Sequence, residues 1–318
     1  MDAQQLSEVE SWVDAYGSAA RDLEAGSAAA VWAAYAAIRD WYDPRQTVAA
    51  AAEAAGLATR MLAAIDGLVA AYQGNVVGIL TGRPLSRVRT PELEYPRRGH
   101  VDPRVVYDRP VWTYRDTVAR GGAESEAFIA ARVHAELLAG TDAMLAERDA
   151  TVITLKRHEI KKYRRVVRPE LSQTGTCGLC IAASQQVYSI KDLLPLHERC
   201  KCAVLPIVKG NDPADAMNTI DIAQLGADAG GKSRNELTRT RYRVDEHGEL
   251  GPVLVPRKAK PVTATAAWDD PARAQKELDA LLPVLASLEA RSAAGEDVTG
   301  PLEYQRTRIA KLRGLLAA

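Results

Sequence analysis

The stretch "DPRQTVAAAAEAAGLATRMLAAIDGLVAAYQGNVVGIL" (Asp43–Leu80) decides the architecture. It opens with an N-cap residue, Asp43. Pro44 follows at the first helical position, where a missing N–H costs nothing and the fixed φ is already helical. Leu57, Met61, Ile65, Val69, Tyr72, Val76 and Leu80 then recur every three or four residues. That spacing lines one face of an α-helix and predicts a core-facing stripe through Leu80.

Working outward from this helix, "LSEVESWVDAYGSAARDLEAG" predicts a helix ending at Gly26, and "SAAAVWAAYAAIRDWY" a second one starting at Ser27. Residues 1–82 therefore read as a helical N-terminal region. After it, Thr81–Gly122 carries five prolines, a density that rules out one long helix. An extended crossing segment is expected there, with short strands at "RVVYD" (104–108) and "VWTYR" (111–115). Helix resumes at Glu124, with a kink or a break expected at Gly140–Thr141–Asp142, and His134 reads as a packing residue rather than a ligand. Residues 83–210 form the second unit. "KGNDPADAMN" (209–218) reads as linker, and 211–265 as a loose region with a small hairpin turning at His247–Gly248. Residues 266–318 read as a C-terminal helical hairpin, bent at Pro283. The fold class expected is mainly α (α+β).

Composition narrows the possibilities. The 318 residues are rich in alanine and contain a single Phe, which favours helices packed closely through small side chains. Formal net charge is zero, so steering of the whole molecule to DNA or membrane is not expected. No uncharged apolar run reaches bilayer-spanning length, and "MDAQQLSEVESW" is too acidic and polar for a signal peptide. Synthesis in a reducing cytoplasm is the expectation.

All four cysteines fall in two fragments, "CGLC" (177–180) and "HERCKC" (197–202). The pattern is C-x2-C-x16-H-x2-C-x-C. Zinc takes four thiolate or imidazole ligands in a tetrahedron, and C-x2-C is the tight turn that aims two sulfurs at one point. Cys200 and Cys202, two apart on extended chain, project to one face. Cys177, Cys180, Cys200 and Cys202 are a full set for one structural zinc. His197 either replaces one of them or donates to a metal-bound sulfur. Disulfides and a C-x2-C redox pair are the alternatives, the latter without a surrounding βαβ pattern.

Upstream, "LKRHEIKKYRRVVRPE" gathers Lys156, Arg157, Lys161, Lys162, Arg164, Arg165 and Arg168 around one interior acid, Glu159. It is expected at the C-terminal end of a helix, as a solvated basic face or a contact for a polyanion or acidic partner. Enzyme signatures are sparse. There is no P-loop, G-x-S-x-G or H-E-x-x-H, "GGK" (230–232) lacks the glycine-rich loop before it, and His100 with Asp102 lacks a nucleophile.

The segment "YRRVVRPELSQTGTCGLCIAASQQVYSIKDLLPLHERCKCAVLPIV" (163–208) resembles the signature region of the phage Mu F-like minor head proteins, in the versions carried by actinobacterial tailed phages and prophages. In that family a C-x2-C pair is followed by H-x2-C-x-C and an apolar strand, matched here at Cys177, Cys180, His197, Cys200 and Cys202. His197–Glu198 departs from the His-Pro of many relatives. The resemblance implies a non-enzymatic minor capsid protein of the virion, made in the bacterial cytoplasm and placed in the head interior or at the portal vertex. The partners it implies are the portal, the major capsid protein or other head proteins, and double-stranded DNA as a secondary partner, with no membrane. The other two readings are a nucleic-acid- or protein-acting enzyme using His100 and Asp102, and a zinc-bearing DNA-binding regulator using the 156–168 stretch.

Overall fold

A computed structural model describes residues 1–83, 98, 101–166, 183–193, 202–218, 242–247, 251–256 and 271–317. Three long helices dominate them: α1 (Ala3–Ala36), α2 (Pro44–Thr81) and α5 (Glu124–Arg157). Two short helices, α3 (Pro103–Tyr107) and α4 (Arg109–Ala119), precede α5. A small antiparallel sheet follows, ordered β2-β1-β3, from β1 (Lys162–Val166), β2 (Val187–Ser189) and β3 (Ala203–Ile207). Helix α6 (Pro213–Met217) packs on β1, and β4 (Tyr242–His247) pairs with β5 (Gly251–Pro256) as a hairpin. The C-terminal helices are α7 (Pro271–Ala293) and α8 (Thr299–Ala317). The mainly helical α+β class expected from the sequence is the one observed.

The capping chemistry of α2 is as the sequence dictates. Asp43 accepts from the Arg45 backbone N–H at 2.9 Å, and Gly82 ends the helix at φ +66°, where side-chain-bearing residues are strained. Residues Met61, Ile65, Val69, Tyr72, Val76 and Leu80 are all buried, and Leu57 is half-buried. By length and mean hydropathy (1.4 over eighteen residues) α2 could cross a bilayer. In this fold it is the central helix, in contact with α1, α5, α3 and β3.

The three long helices carry two cores in succession. One gathers Val9, Val13 and Tyr16 of α1, Met61–Leu80 of α2, Ala143–Leu155 of α5 and the sheet. The other gathers Val31–Tyr35 of α1, Ala50–Ala58 of α2 and Ala127–Ala139 of α5, with α3 and α4. The pairing makes α1 antiparallel to both others and α2 parallel to α5. The second core is an alanine seam: Ala127, Ala131, Ala135 and Ala139 repeat every four residues, which lets the backbones approach closely. Aromatic rings close its edge, Trp41 stacking on Tyr114 at 4.4 Å and Trp32 meeting Phe128 edge-on at 4.8 Å.

Several expectations are corrected. Gly26 does not end a helix. The chain runs unbroken from Ala3 to Ala36, because buried residues on both sides anchor it in both cores and nothing left-handed follows Gly26. The strands expected at 104–108 and 111–115 are helices. Asp102 accepts from the Arg104 N–H at 2.8 Å with Pro103 behind it, and Pro110 falls in the first turn of α4, where proline is tolerated. Gly140–Asp142 does not break α5. Thr141 Oγ1 donates to the Leu137 carbonyl, and the Asp142 carboxylate is satisfied by Arg98 and Tyr107. Residues 209–218, read as linker, hold α6, capped by Asp212.

The α4–α5 turn supplies a sharp test of packing. Gly121 has φ +91°, and a Cβ on Gly122 would lie 2.8 Å from Thr117 Cγ2 and 3.0 Å from the Thr117 carbonyl oxygen. Gly122→Ala is expected to cost about 1–3 kcal/mol by overpacking, seen as a lower urea midpoint at unchanged slope. An unchanged midpoint would show that this turn is not held against α4.

Candidate functional site around Cys202

Of the cysteine-cluster residues, Cys202 is described; Cys177, Cys180, His197 and Cys200 lie outside the described residues, as does Arg168 of the basic run. Among the described residues no three His, Cys, Asp or Glu side chains come together. Cys202 is buried directly before β3. Strand β3 is an edge strand, and its outward carbonyls are sealed by side chains from the helices. The Cys202 carbonyl accepts from Arg148 Nη2 at 3.0 Å, and two residues on the Val204 carbonyl accepts from both Tyr72 Oη and Gln73 Nε2 at 3.0 Å. Pro206 continues the same outward alternation, so its missing N–H falls where the ladder does not need it.

The sheet gathers three of the four chain ends that flank the cysteine fragments. Val166 ends β1 opposite Ala203, so the chain departs toward Cys177 and Cys180 beside the point where it arrives through Cys202. It returns from Cys180 at Ala183–Ser184, and Asn218 Nδ2 ties that return to the same place by donating to the Arg165 carbonyl (2.9 Å) and the Ser184 carbonyl (3.2 Å).

The register also sorts side chains by face. Tyr163 lies opposite Tyr188, and Arg165 opposite Val204. With a period of two, Tyr163, Tyr188, Arg165, Val204 and Cys202 share one face, Cys202 being the diagonal neighbour of Arg165. The rings confirm it: Tyr163 and Tyr188 stack at 5.4 Å, and the Arg165 guanidinium lies 5.7 and 5.9 Å from their centroids. Arg165 is 0% exposed. Burial pushes the Tyr188 phenol up to about 12; Arg165 opposes the shift, and Tyr163 and Cys202 add to it. The Tyr188 hydroxyl is buried and has no hydrogen-bond partner among the described residues.

This geometry corrects the reading of the basic run. The helix ends at Arg157, the chain turns through Glu159 at φ +58°, and Lys162–Val166 is a strand. Lys156, Arg157, Lys161 and Lys162 are exposed, whereas Arg164 pairs with Asp212 (2.8 Å) and Asp215 (3.2 Å), and Arg165 is core. The seven bases do not form one helical face, because strand alternation sends neighbouring side chains to opposite sides.

A concave feature lies elsewhere, on α4, α5 and α8. A cleft of about 320 Å³ is lined by Arg98, Arg109, Trp112, His134 and Arg308, among others. Its cations are engaged: Arg98 with Asp142 at 2.6 Å, and Arg308 with Asp116 at 3.0 Å and with Glu277. Thr113 donates to the Arg109 carbonyl at 3.1 Å, and its hydroxyl lies 2.6 Å from His134 Nδ1. The ion pairs through Arg308 fasten the α7–α8 hairpin to α4. Asp102, paired with His100 in the enzyme reading, is the N-cap of α3, and His100 lies outside the described residues. No protein-family model, characterised protein or solved structure matches the chain.

Proposed function

We propose that this chain is a minor head protein of a tailed phage, a structural component of the virion that docks to the portal inside the head. The reading rests on the resemblance of residues 163–208 to the Mu F-like signature. It is supported by one observation: three of the four chain ends that flank the cysteine fragments, at Val166, Ala183–Ser184 and Cys202, lie at one end of the three-stranded sheet, with Cys202 buried there. Four ligands drawn from Cys177, Cys180, His197, Cys200 and Cys202 would hold one zinc ion. Bound there, zinc would supply a closed structural cross-link, with no open position for substrate. The donor set fits that role, since thiolates select zinc over hard cations. The exposed bases Lys156, Arg157, Lys161 and Lys162 are the candidates for a secondary contact with packaged double-stranded DNA. The major capsid protein and other head proteins are further partners in this reading, and no catalytic step is assigned.

Four measurements test it. Metal analysis of the reduced, purified chain is expected to give one zinc per molecule, and zinc removal is expected to lower its melting temperature by several degrees. Co-expression with the portal protein of the same genome is expected to give a complex, and mass spectrometry of the particles to detect the chain. Absence from both the complex and the particle would refute the reading.

A further inference from the structure

We propose that the end of the three-stranded sheet where α5 arrives is a sequence-independent grip on double-stranded nucleic acid, made by Lys156, Lys161, Lys162, Lys191 and Lys209. The proposal rests on the reading above for its DNA contact and deepens it, since Lys191 and Lys209 lie outside the basic run and only the fold brings them to it. Lys162 pairs with Ser189 on one side and with Ile207 on the other, so Lys191 and Lys209 each follow two residues past one of its partners. The Ile190 N–H donates to the Lys161 carbonyl at 3.0 Å, and the 3-10 turn Ile190–Asp192 packs on α5. Where α5 ends, the Glu159 N–H donates to the Lys156 carbonyl at 3.0 Å, and β1 then starts at Lys162. All five lysines are exposed, and none is in an ion pair among the described residues. Glu159 is an exposed acid beside them, whereas Asp212 and Asp215 are taken up by Arg164.

A cation in the last turn of a helix complements its dipole, which accounts for Lys156. That account does not reach Lys161, Lys162 or Lys209, which lie on turns and strand. Because the chain as a whole is neutral, attraction to a polyanion has to come from a local concentration such as this one. Several features favour a duplex as that polyanion. Lysine is a point charge on a flexible stem, suited to phosphates spread along a backbone, whereas the carboxylates of an acidic protein are better held by arginine forks. Among the exposed large apolar side chains, only Met1 (its ammonium 3.2 Å from Asn211 Oδ1) and Val187 belong to this end, too few for the apolar centre of a protein interface. Single strands are gripped by aromatic rings that stack on the bases. Tyr163 is 0% exposed and stacks on the half-buried Tyr188, so neither ring is presented as a platform. Lys191 and Lys209 follow the two outer strands, about 10 Å apart at the spacing of paired strands. Over that span a duplex presents about six charges.

Binding of the full-length chain to a short labelled DNA duplex of mixed sequence is followed by fluorescence anisotropy over a series of salt concentrations. The logarithm of the affinity is expected to fall with the logarithm of salt at a slope of about −4 to −5, as for five phosphate contacts. Lys191→Gln and Lys209→Gln, which remove charge from exposed side chains and leave the core untouched, are each expected to weaken binding about 3–10-fold near about 0.1 M salt and to reduce the slope by about 0.9. Lys276→Gln and Lys311→Gln, exposed on the α7–α8 hairpin, are expected to change neither. A duplex of unrelated sequence is expected to bind equally, and a single strand or polyglutamate of the same charge to compete less well. The proposal is overturned if Lys191→Gln and Lys209→Gln both keep the parent's affinity and slope, or if the single strand or polyglutamate competes as well as the duplex. If the chain joins neither portal nor particle while lysine-dependent duplex binding holds, the head-protein reading falls and the grip stands. If it joins them and the two variants bind duplex as the parent does, only the grip falls.

Discussion

Asp142→Ala is expected to lower the unfolding free energy by about 3–5 kcal/mol, a large part of the stability of a chain this size. Asp142 sits in the middle of α5, fully buried. Its Oδ1 accepts from Arg98 Nε at 2.6 Å and its Oδ2 from Tyr107 Oη at 3.0 Å, while Arg98 Nη2 also donates to the Leu138 carbonyl at 3.2 Å. Truncation removes the carboxylate and leaves a guanidinium and a phenol buried without it. The loss should therefore exceed what the pair contributes net, and removing both charges should recover much of it. The double variant Arg98→Met/Asp142→Leu is expected to be more stable than Asp142→Ala alone. Urea titrations of Arg98→Met, Asp142→Leu and the double variant close the cycle. A single alanine variant within about 1 kcal/mol of the parent would mean that the buried pair contributes little.

Tyr72→Ala is expected to cost about 3–5 kcal/mol, whereas Tyr72→Phe should cost about 1 kcal/mol or less. The ring is buried and stacks on Tyr16 at 4.2 Å, and Tyr16 in turn donates to Glu147 of α5 at 3.1 Å. Alanine empties the junction of α1, α2 and the sheet. Phenylalanine keeps the stack and loses one donor to the Val204 carbonyl, which Gln73 still serves. Removing both donors, as in Tyr72→Phe/Gln73→Leu, should cost more than the sum of the single changes, because only then is a buried carbonyl left unmet. Hydrogen exchange at β3 together with equilibrium unfolding measures it. Strict additivity would show that the edge of β3 is satisfied some other way.

The tripeptide Asp-Pro-Arg shows how legible the fold was. At 43–45 it announces α2, and the structure follows. The same three residues at 102–104 cap α3 with the same bond, yet the Val- and Tyr-rich residues after them favoured a strand reading. Here local capping outweighed β-propensity. Asp212–Pro213 repeats the signal at α6. Pro44, Pro103 and Pro213 all follow an aspartate, and all open helices rather than forbidding them.

At the candidate site the ligand pattern was visible and its surroundings were not. Cysteine and histidine spacing is local in sequence. That Tyr188, Arg165 and Cys202 share one sheet face depends on which residues pair across three strands, information that single-chain periodicity does not carry. Arg165 was also concealed by its charge, which reads as surface until two tyrosines are found against it. The alternation Lys162, Tyr163, Arg164, Arg165 is too short and too basic to announce a strand.

The long helices have a consequence for distance. With 34, 38 and 34 residues, α1, α2 and α5 are each about 50–57 Å long at 1.5 Å per residue. Because both cores are strung along the same three rods, the sheet at one end and the α3–α4 layer at the other are kept apart by a fixed span. The bundle is in effect a gauge: whatever grips its two ends is separated by a length written in the number of helical turns, and two turns taken from each rod would shorten that gauge by about 11 Å.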